Sequence, residues 1–224
     1  MTKPIYNITP FTLLDYPNKS ACIFWYAGCN MRCLYCYNPE IVLGKGKLPF
    51  TEAISFLTTR IGLLDAVVFS GGECLIHKNI KEQIKAVKAM GFLVKIDTNG
   101  TNPELLQQLI EENLIDYVAL DFKASYQSFK FITQSDLFDL FEKSLQILLN
   151  SNIQYEVRTT YHSKLIAAEE LNDMIDYLKY NQYTGTYYIQ YFRNDVDTLG
   201  KLPNSYNHLE EQLHLYSDMK IVLR

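Results

Sequence analysis

Apolar residues gather along the chain in six short runs, at 21–26 (ACIFWY), 66–70 (AVVFS), 92–97 (FLVKID), 117–122 (YVALDF), 153–159 (IQYEVRT) and 186–192 (TYYIQYF). They are rich in β-branched and aromatic residues and read as strands. Between them the apolar spacing turns helical. Thr51 can cap a helix carrying Ile54, Leu57 and Ile61. Ile80, Ile84 and Val87 share a face that ends near Gly91, a suitable C-cap. Asn102 and Pro103 read as N-cap and first helical residue before Leu105, Leu106, Leu109 and Ile110. Asp136 can cap a helix carrying Leu137, Phe141, Leu145 and Leu148, and Leu171, Met174, Ile175 and Leu178 make another stripe. Leu209, Leu213 and Tyr216 suggest a last helix at about 205–219. Each stripe is assigned to core packing.

Strand therefore alternates with helix six times. Strands buried on both faces and joined through helices predict a parallel sheet with right-handed crossovers. It can be an open doubly wound sheet or an incomplete (β/α)6 barrel. Composition does not shift along the 224 residues, which predicts one domain, 1–224, with its core at about 20–192.

Charge and hydropathy narrow the class. The apolar fraction is 48%, the charged fraction 21% and the net charge −4, as in a soluble globular protein. No Lys/Arg cluster points to nucleic acid. No apolar run approaches the ~20 residues that span a bilayer. The opening MTKPIYNITPF lacks the apolar core of a signal peptide, so the expected location is the cytoplasm. In that reducing compartment the five cysteines are not read as a disulfide framework.

The unusual residues fall where the strands end. Cys29, Cys33 and Cys36 follow the first strand, and SGGEC (70–74) ends the second. DTNG (97–100) ends the third, DFK (121–123) the fourth, Arg158 lies near the end of the fifth, and QYF (190–192) ends the sixth. In a parallel sheet these ends share one rim, where α/β active sites sit.

Three thiols in eight residues call for metal or redox chemistry. A structural zinc site wants four protein ligands, so Cys74, His77 or Cys22 would have to complete it. Cys22 lies inside a strand and reads as a small buried hydrophobe. Thiolates also hold iron–sulfur clusters, and three of them on four irons leave one iron free to bind another group. A zinc-binding interaction domain and an iron–sulfur electron carrier are the non-enzyme alternatives.

The cysteine spacing, with Tyr35 before the third cysteine, and the SGGE motif resemble the radical S-adenosylmethionine superfamily. LLDYPNKSACIFWYAGCNMRCLYCYNPEIV, FSGGE, GFLVKIDTNGTNPELLQQLIEENLIDYVALDFKA and YEVRTTYH are similar to the glycyl-radical activating enzymes, in particular the anaerobic ribonucleoside-triphosphate reductase activating proteins. The similarity covers most of residues 11–192.

The resemblance implies a [4Fe–4S] cluster on Cys29, Cys33 and Cys36. It also implies S-adenosylmethionine on the fourth iron and its reductive cleavage to a 5′-deoxyadenosyl radical. Gly71 and Gly72 would let backbone approach the cofactor, and Glu73 would supply a negative charge for its ammonium group. Tyr35 is either an adenine-side contact or packing. Asp97, Thr98 and Asp121, with the Ala119 carbonyl, match residues that surround a monovalent cation, Na+ or K+, in glycyl-radical activases. Lys123 and Arg158 match basic residues near the cofactor, or simply pair with these acids.

Three positions depart from the pattern. Cys74 replaces the usual proline after GGE, Tyr37 stands where histidine is frequent, and Phe192 replaces a histidine near the cofactor in pyruvate formate-lyase activase. Little chain follows the sixth unit, so the expected barrel has an open side suited to a macromolecular substrate. The implied reaction removes hydrogen from a glycine of an anaerobic ribonucleoside-triphosphate reductase, with a low-potential flavodoxin or ferredoxin as electron donor. Pyruvate formate-lyase activase and 7-carboxy-7-deazaguanine synthase are the competing enzyme readings.

Overall fold

The computed structural model describes residues 2–206, 209, 213–214 and 218–224. One sheet runs in chain order through β1 (Ile5–Thr12), β2 (Ala21–Tyr26), β3 (Ala66–Gly71), β4 (Leu93–Thr98), β5 (Tyr117–Asp121), β6 (Gln154–Tyr161), β7 (Thr186–Tyr191) and β8 (Lys220–Leu223). β2 to β8 are parallel, and β1 lies antiparallel on β2. The six apolar runs are β2 to β7. The expected six-stranded sheet is therefore widened by one strand at each edge. β1 contains Pro10, which only an edge strand tolerates.

The helices are α1 (Pro39–Leu43), α2 (Phe50–Thr58), α3 (Ile80–Ala89), α4 (Pro103–Glu111), α5 (Tyr126–Thr133), α6 (Phe138–Leu149) and α7 (Ala168–Tyr180). Their apolar stripes close the core: Ile84, Val87, Leu106, Leu109, Phe141, Leu145, Leu171 and Ile175 are all fully buried. Asn102 caps α4 as expected, its side-chain oxygen accepting from the Leu105 N–H. Two expected caps differ. Thr51 lies inside α2, and Ile61 is exposed in the turn beyond it. Asp136 does not cap α6; it pairs with Lys130 at 2.6 Å. The helix expected at about 205–219 falls largely on residues outside the described ones.

Residues that follow β7 do more than the sequence suggested. The segment 192–206 folds back along the cysteine-bearing loop, where Leu199 N–H donates to the Cys36 carbonyl (3.1 Å) and Gly200 N–H to that of Leu34 (2.8 Å). His162 holds this segment through the Pro203 carbonyl at 2.8 Å. Among the described residues no helix is long and apolar enough to cross a membrane.

Candidate active site

The carboxyl ends of β2 to β7 surround a cavity of about 310 Å³, of the size that takes a small-molecule ligand. Cys29, Cys33 and Cys36 line one wall; Asp97, Asp121, Lys123 and Arg158 line another. The stretches separated in sequence thus meet at one mouth, as parallel topology requires. A larger surface groove lies elsewhere, between α4 and α6, and holds none of these residues.

The cysteine loop leaves β2 and is clamped from three sides. Arg32 N–H and Leu34 N–H donate to the Thr133 and Ile132 carbonyls at 2.9 Å each, so the end of α5 finds partners for its last free carbonyls. Segment 199–200 holds the opposite side. The third clamp is the end of β3. Gly72 N–H donates to the Tyr26 carbonyl and Glu73 N–H to that of Gly28, both at 2.9 Å.

Here the glycine pair acts differently from expectation. Gly71 has φ +119, and a Cβ on it would overlap Tyr26 backbone; a Cβ on Gly72 would overlap the Gly28 carbonyl. The missing side chains admit the cysteine loop's own backbone, though both glycines still line the cavity.

Glu73 also departs from the reading drawn from the resemblance. Its carboxylate is buried and does not face the cavity as a free charge. It accepts from Leu75 N–H (3.0 Å), Thr98 Oγ1 (2.9 Å) and Asn99 N–H (2.7 Å), tying β3 to the β4 loop. Burial pushes its pKa up to about 7, against the pull of these donors. From that loop Asn99 bonds Asn30, and Asn30 bonds Thr101, so the DTNG turn also steadies the cysteine loop.

The thiols are free. Burial pushes Cys29 up to about 11 and Cys33 up to about 12, so both carry protons that metal binding must displace. Cys22 and Cys74 are wholly buried; Cys74 sits beneath the glycine pair near the Phe69 and Asp97 carbonyls, with no opening to the cavity. His77 is bonded to the Ala27 carbonyl. Among the described residues no three His, Cys, Asp or Glu side chains converge closely enough to hold a single metal ion.

Tyr35 is buried and donates to the Lys123 carbonyl at 3.0 Å, which fixes the start of the chain after β5. Tyr37 packs on Phe192 at 5.3 Å between ring centroids and accepts from Arg193 N–H. His162 lies against Phe192 but is fully buried and committed to Pro203, so it does not stand in for the histidine that Phe192 replaces.

The charged wall forms an alternating chain. Lys95 Nζ meets Asp97 Oδ1 at 2.7 Å, and Arg158 Nη1 lies 3.6 Å from Asp97 Oδ2. Arg158 Nη2 meets Asp121 Oδ1 at 2.9 Å, and Lys123 Nζ meets Asp121 Oδ2 at 2.9 Å. Burial alone would raise both acids, but Arg158, with Lys95 at Asp97 and Lys123 at Asp121, holds them below the usual carboxylate range. Asp121 opposite Arg158 is a register pair of β5 and β6.

Sequence reasoning missed Lys95, Ser70 and Asn99. Lys95 had a signal: a charge inside an apolar, doubly covered strand, two residues before an acid on the same face. The side chains expected around a monovalent cation already have partners, since both acids are paired and Thr98 Oγ1 donates to Glu73 and accepts from Gly100 N–H.

The model of the radical SAM superfamily matches residues 23–180. A Methanocaldococcus jannaschii protein, provisionally named a glycyl-radical enzyme activating enzyme, is 35% identical over 77% of this chain and 74% of its own length. The pyruvate formate-lyase-activating enzyme of Clostridium pasteurianum is 30% identical over 53% of this chain and 52% of that protein. Streptococcus suis SuiB, solved with S-adenosylmethionine bound, superposes with TM-score 0.68 over 88% of this chain and 48% of that one, at 14% identity, a likeness of fold. The chain thus spans about half the length of the last two proteins.

Proposed function

We propose that this chain, which belongs to the radical SAM superfamily, is a glycyl-radical activating enzyme whose substrate is an anaerobic ribonucleoside-triphosphate reductase. The observation that carries the reading is the meeting of three thiols from one loop with a mixed-charge wall across a single open cavity.

The donor set fits the implied groups. Cys29, Cys33 and Cys36 would hold a [4Fe–4S] cluster, each giving up its proton. Lys123 and Arg158 present cationic groups suited to the carboxylate of S-adenosylmethionine, with Gly71 and Gly72 beside them. When bound, the cluster and S-adenosylmethionine supply an electron and a 5′-deoxyadenosyl radical. The chain's own part is to orient and shield. Tyr35 fixes the backbone of Lys123, Asp121 sets the position of its ammonium, and Glu73 locks the DTNG turn against the glycine pair.

The whole chain, 1–224, acts as one domain in the cytoplasm, where its free thiols stay reduced and a flavodoxin or ferredoxin delivers electrons. The reductase glycine enters on a flexible segment. The test is anaerobic incubation with the reductase, S-adenosylmethionine and a reductant. A doublet glycyl-radical signal by electron paramagnetic resonance is expected, lost when the reductase's radical glycine is replaced by alanine. Conversion of 6-carboxytetrahydropterin to a deazaguanine, with no glycyl radical, would overturn it.

A further inference from the structure

Lys95 is only 2% exposed, deep in a strand that reads FLVKID. A buried ammonium is costly unless paired, and its pair here is Asp97 at 2.7 Å. The chain continues through Arg158 to Asp121 and Lys123. Lys95, Arg158 and Lys123 thus pair with Asp97 and Asp121, and the buried Glu156 is a further acid acting on Arg158. Resemblance to the glycyl-radical activases placed a monovalent cation among Asp97, Thr98, Asp121 and the Ala119 carbonyl. The side chains present do not fit that ion. Asp97 Oδ1 faces Lys95, and its Oδ2 faces Ser70 (3.1 Å) and Arg158. Asp121 offers one oxygen to Arg158 and the other to Lys123. The Thr98 hydroxyl is engaged by Glu73 and Gly100. A further cation would have to compete with Lys95, Arg158 and Lys123 for carboxylate oxygens that these cations already hold.

We propose that Lys95 is a built-in counter-ion: its ammonium takes the place of Na+ or K+ beside Asp97, so that cofactor binding in this chain needs no monovalent metal. Lys95 does not line the cavity. It is a positioning residue that holds Asp97 in line with Arg158, leaving the guanidinium and Lys123 aimed at the cofactor. This rests on the reading of the site as an S-adenosylmethionine site, so the test has one readout that does not.

The full chain is reconstituted anaerobically with iron and sulfide, in sodium, potassium or tetramethylammonium chloride at equal ionic strength. S-adenosylmethionine affinity is read by equilibrium dialysis, and the melting temperature separately. The native chain is expected to bind within about twofold, and to melt alike, in all three salts. Lys95→Met should bind about tenfold more weakly in tetramethylammonium, with affinity and melting temperature recovered by Na+ or K+. Lys95→Arg, which keeps the charge, should remain indifferent to the salt. A native chain that loses affinity or melts lower in tetramethylammonium overturns the proposal. So does a folded Lys95→Met that responds to none of the salts. If Lys95→Met does not fold, Lys95→Gln carries the same comparison. Absence of cofactor binding in every salt would count against the functional reading, while the melting comparison would still decide the counter-ion.

Discussion

The cysteine loop and the charged side chains of β4 to β6 face each other across one cavity, yet they are held in different ways. The loop is fixed by backbone: its N–H and C=O groups meet the Ile132, Thr133, Leu199 and Gly200 backbone, and its entry is pinned by the end of β3. Side chains add to this at three points, Asn30, Tyr35 and Tyr37. The charged wall is fixed by side chains alone, each cation matched to a carboxylate within 2.7–3.6 Å. The first should tolerate most substitutions except those that add bulk where backbones touch. The second should fail one residue at a time, whenever a charge loses its mate.

Gly72→Ala is the most severe test of this contrast. Its Cβ would displace the Gly28 carbonyl, at an expected cost of roughly 4 kcal/mol or more. Denaturant unfolding should show it, and iron analysis should find far less than the about four irons expected per chain. An alanine that retains full iron would mean that the loop is not set by backbone contact. Arg158→Met comes next, leaving two half-buried carboxylates short of a partner, with an expected loss of about 1–2 kcal/mol. Iron content should survive it, because no cysteine clamp involves Arg158.

Glu73→Gln links both regions and is expected to cost about 1 kcal/mol at pH 5, since the amide NH2 cannot accept from the Asn99 N–H as an oxygen of the neutral acid can. Burial lifts the pKa of Glu73 from 4.5 to about 7 in the fold. Its contribution is therefore complete below about pH 4.5 and lost as pH rises through about 7, so the gap between variant and native melting temperatures should narrow over that range. The smallest effect is on the acid side. Asp97 and Asp121 are held below their ordinary range, so their stabilisation is present above about pH 4 and lost as pH falls further. Arg158→Met should flatten that acid limb in melts taken between neutral and acid pH.

The sequence made the inner six strands and the rim legible, because doubly buried strands are written as unbroken apolar runs. β1 escaped notice because IYNITPFT mixes polar residues and a proline, as an exposed edge allows, and β8 because KIVL is too short to stand out. Cys29, Cys33 and Cys36 stood out as a group from spacing alone, and the fold brings all three to the cavity. The roles of Glu73 and the glycine pair were not. The same letters, SGGE, fit a carboxylate aimed at a ligand or one locked on backbone donors, and only the fold separates them. Lys95 was passed over inside FLVKID because a single charge does not interrupt a strand-like run.

The clasp of segment 199–200 on the cysteine loop also has a temporal consequence. Its two hydrogen bonds join Leu34 and Cys36 to Gly200 and Leu199, residues made much later in synthesis. Contacts between such distant positions form late, after the intervening strands have assembled. During synthesis the three thiols are therefore complete in sequence long before they are complete in geometry. A nascent chain should be a poor acceptor of iron and sulfide until residue 200 has left the ribosome, and chains arrested before that point should load poorly even with every cysteine present.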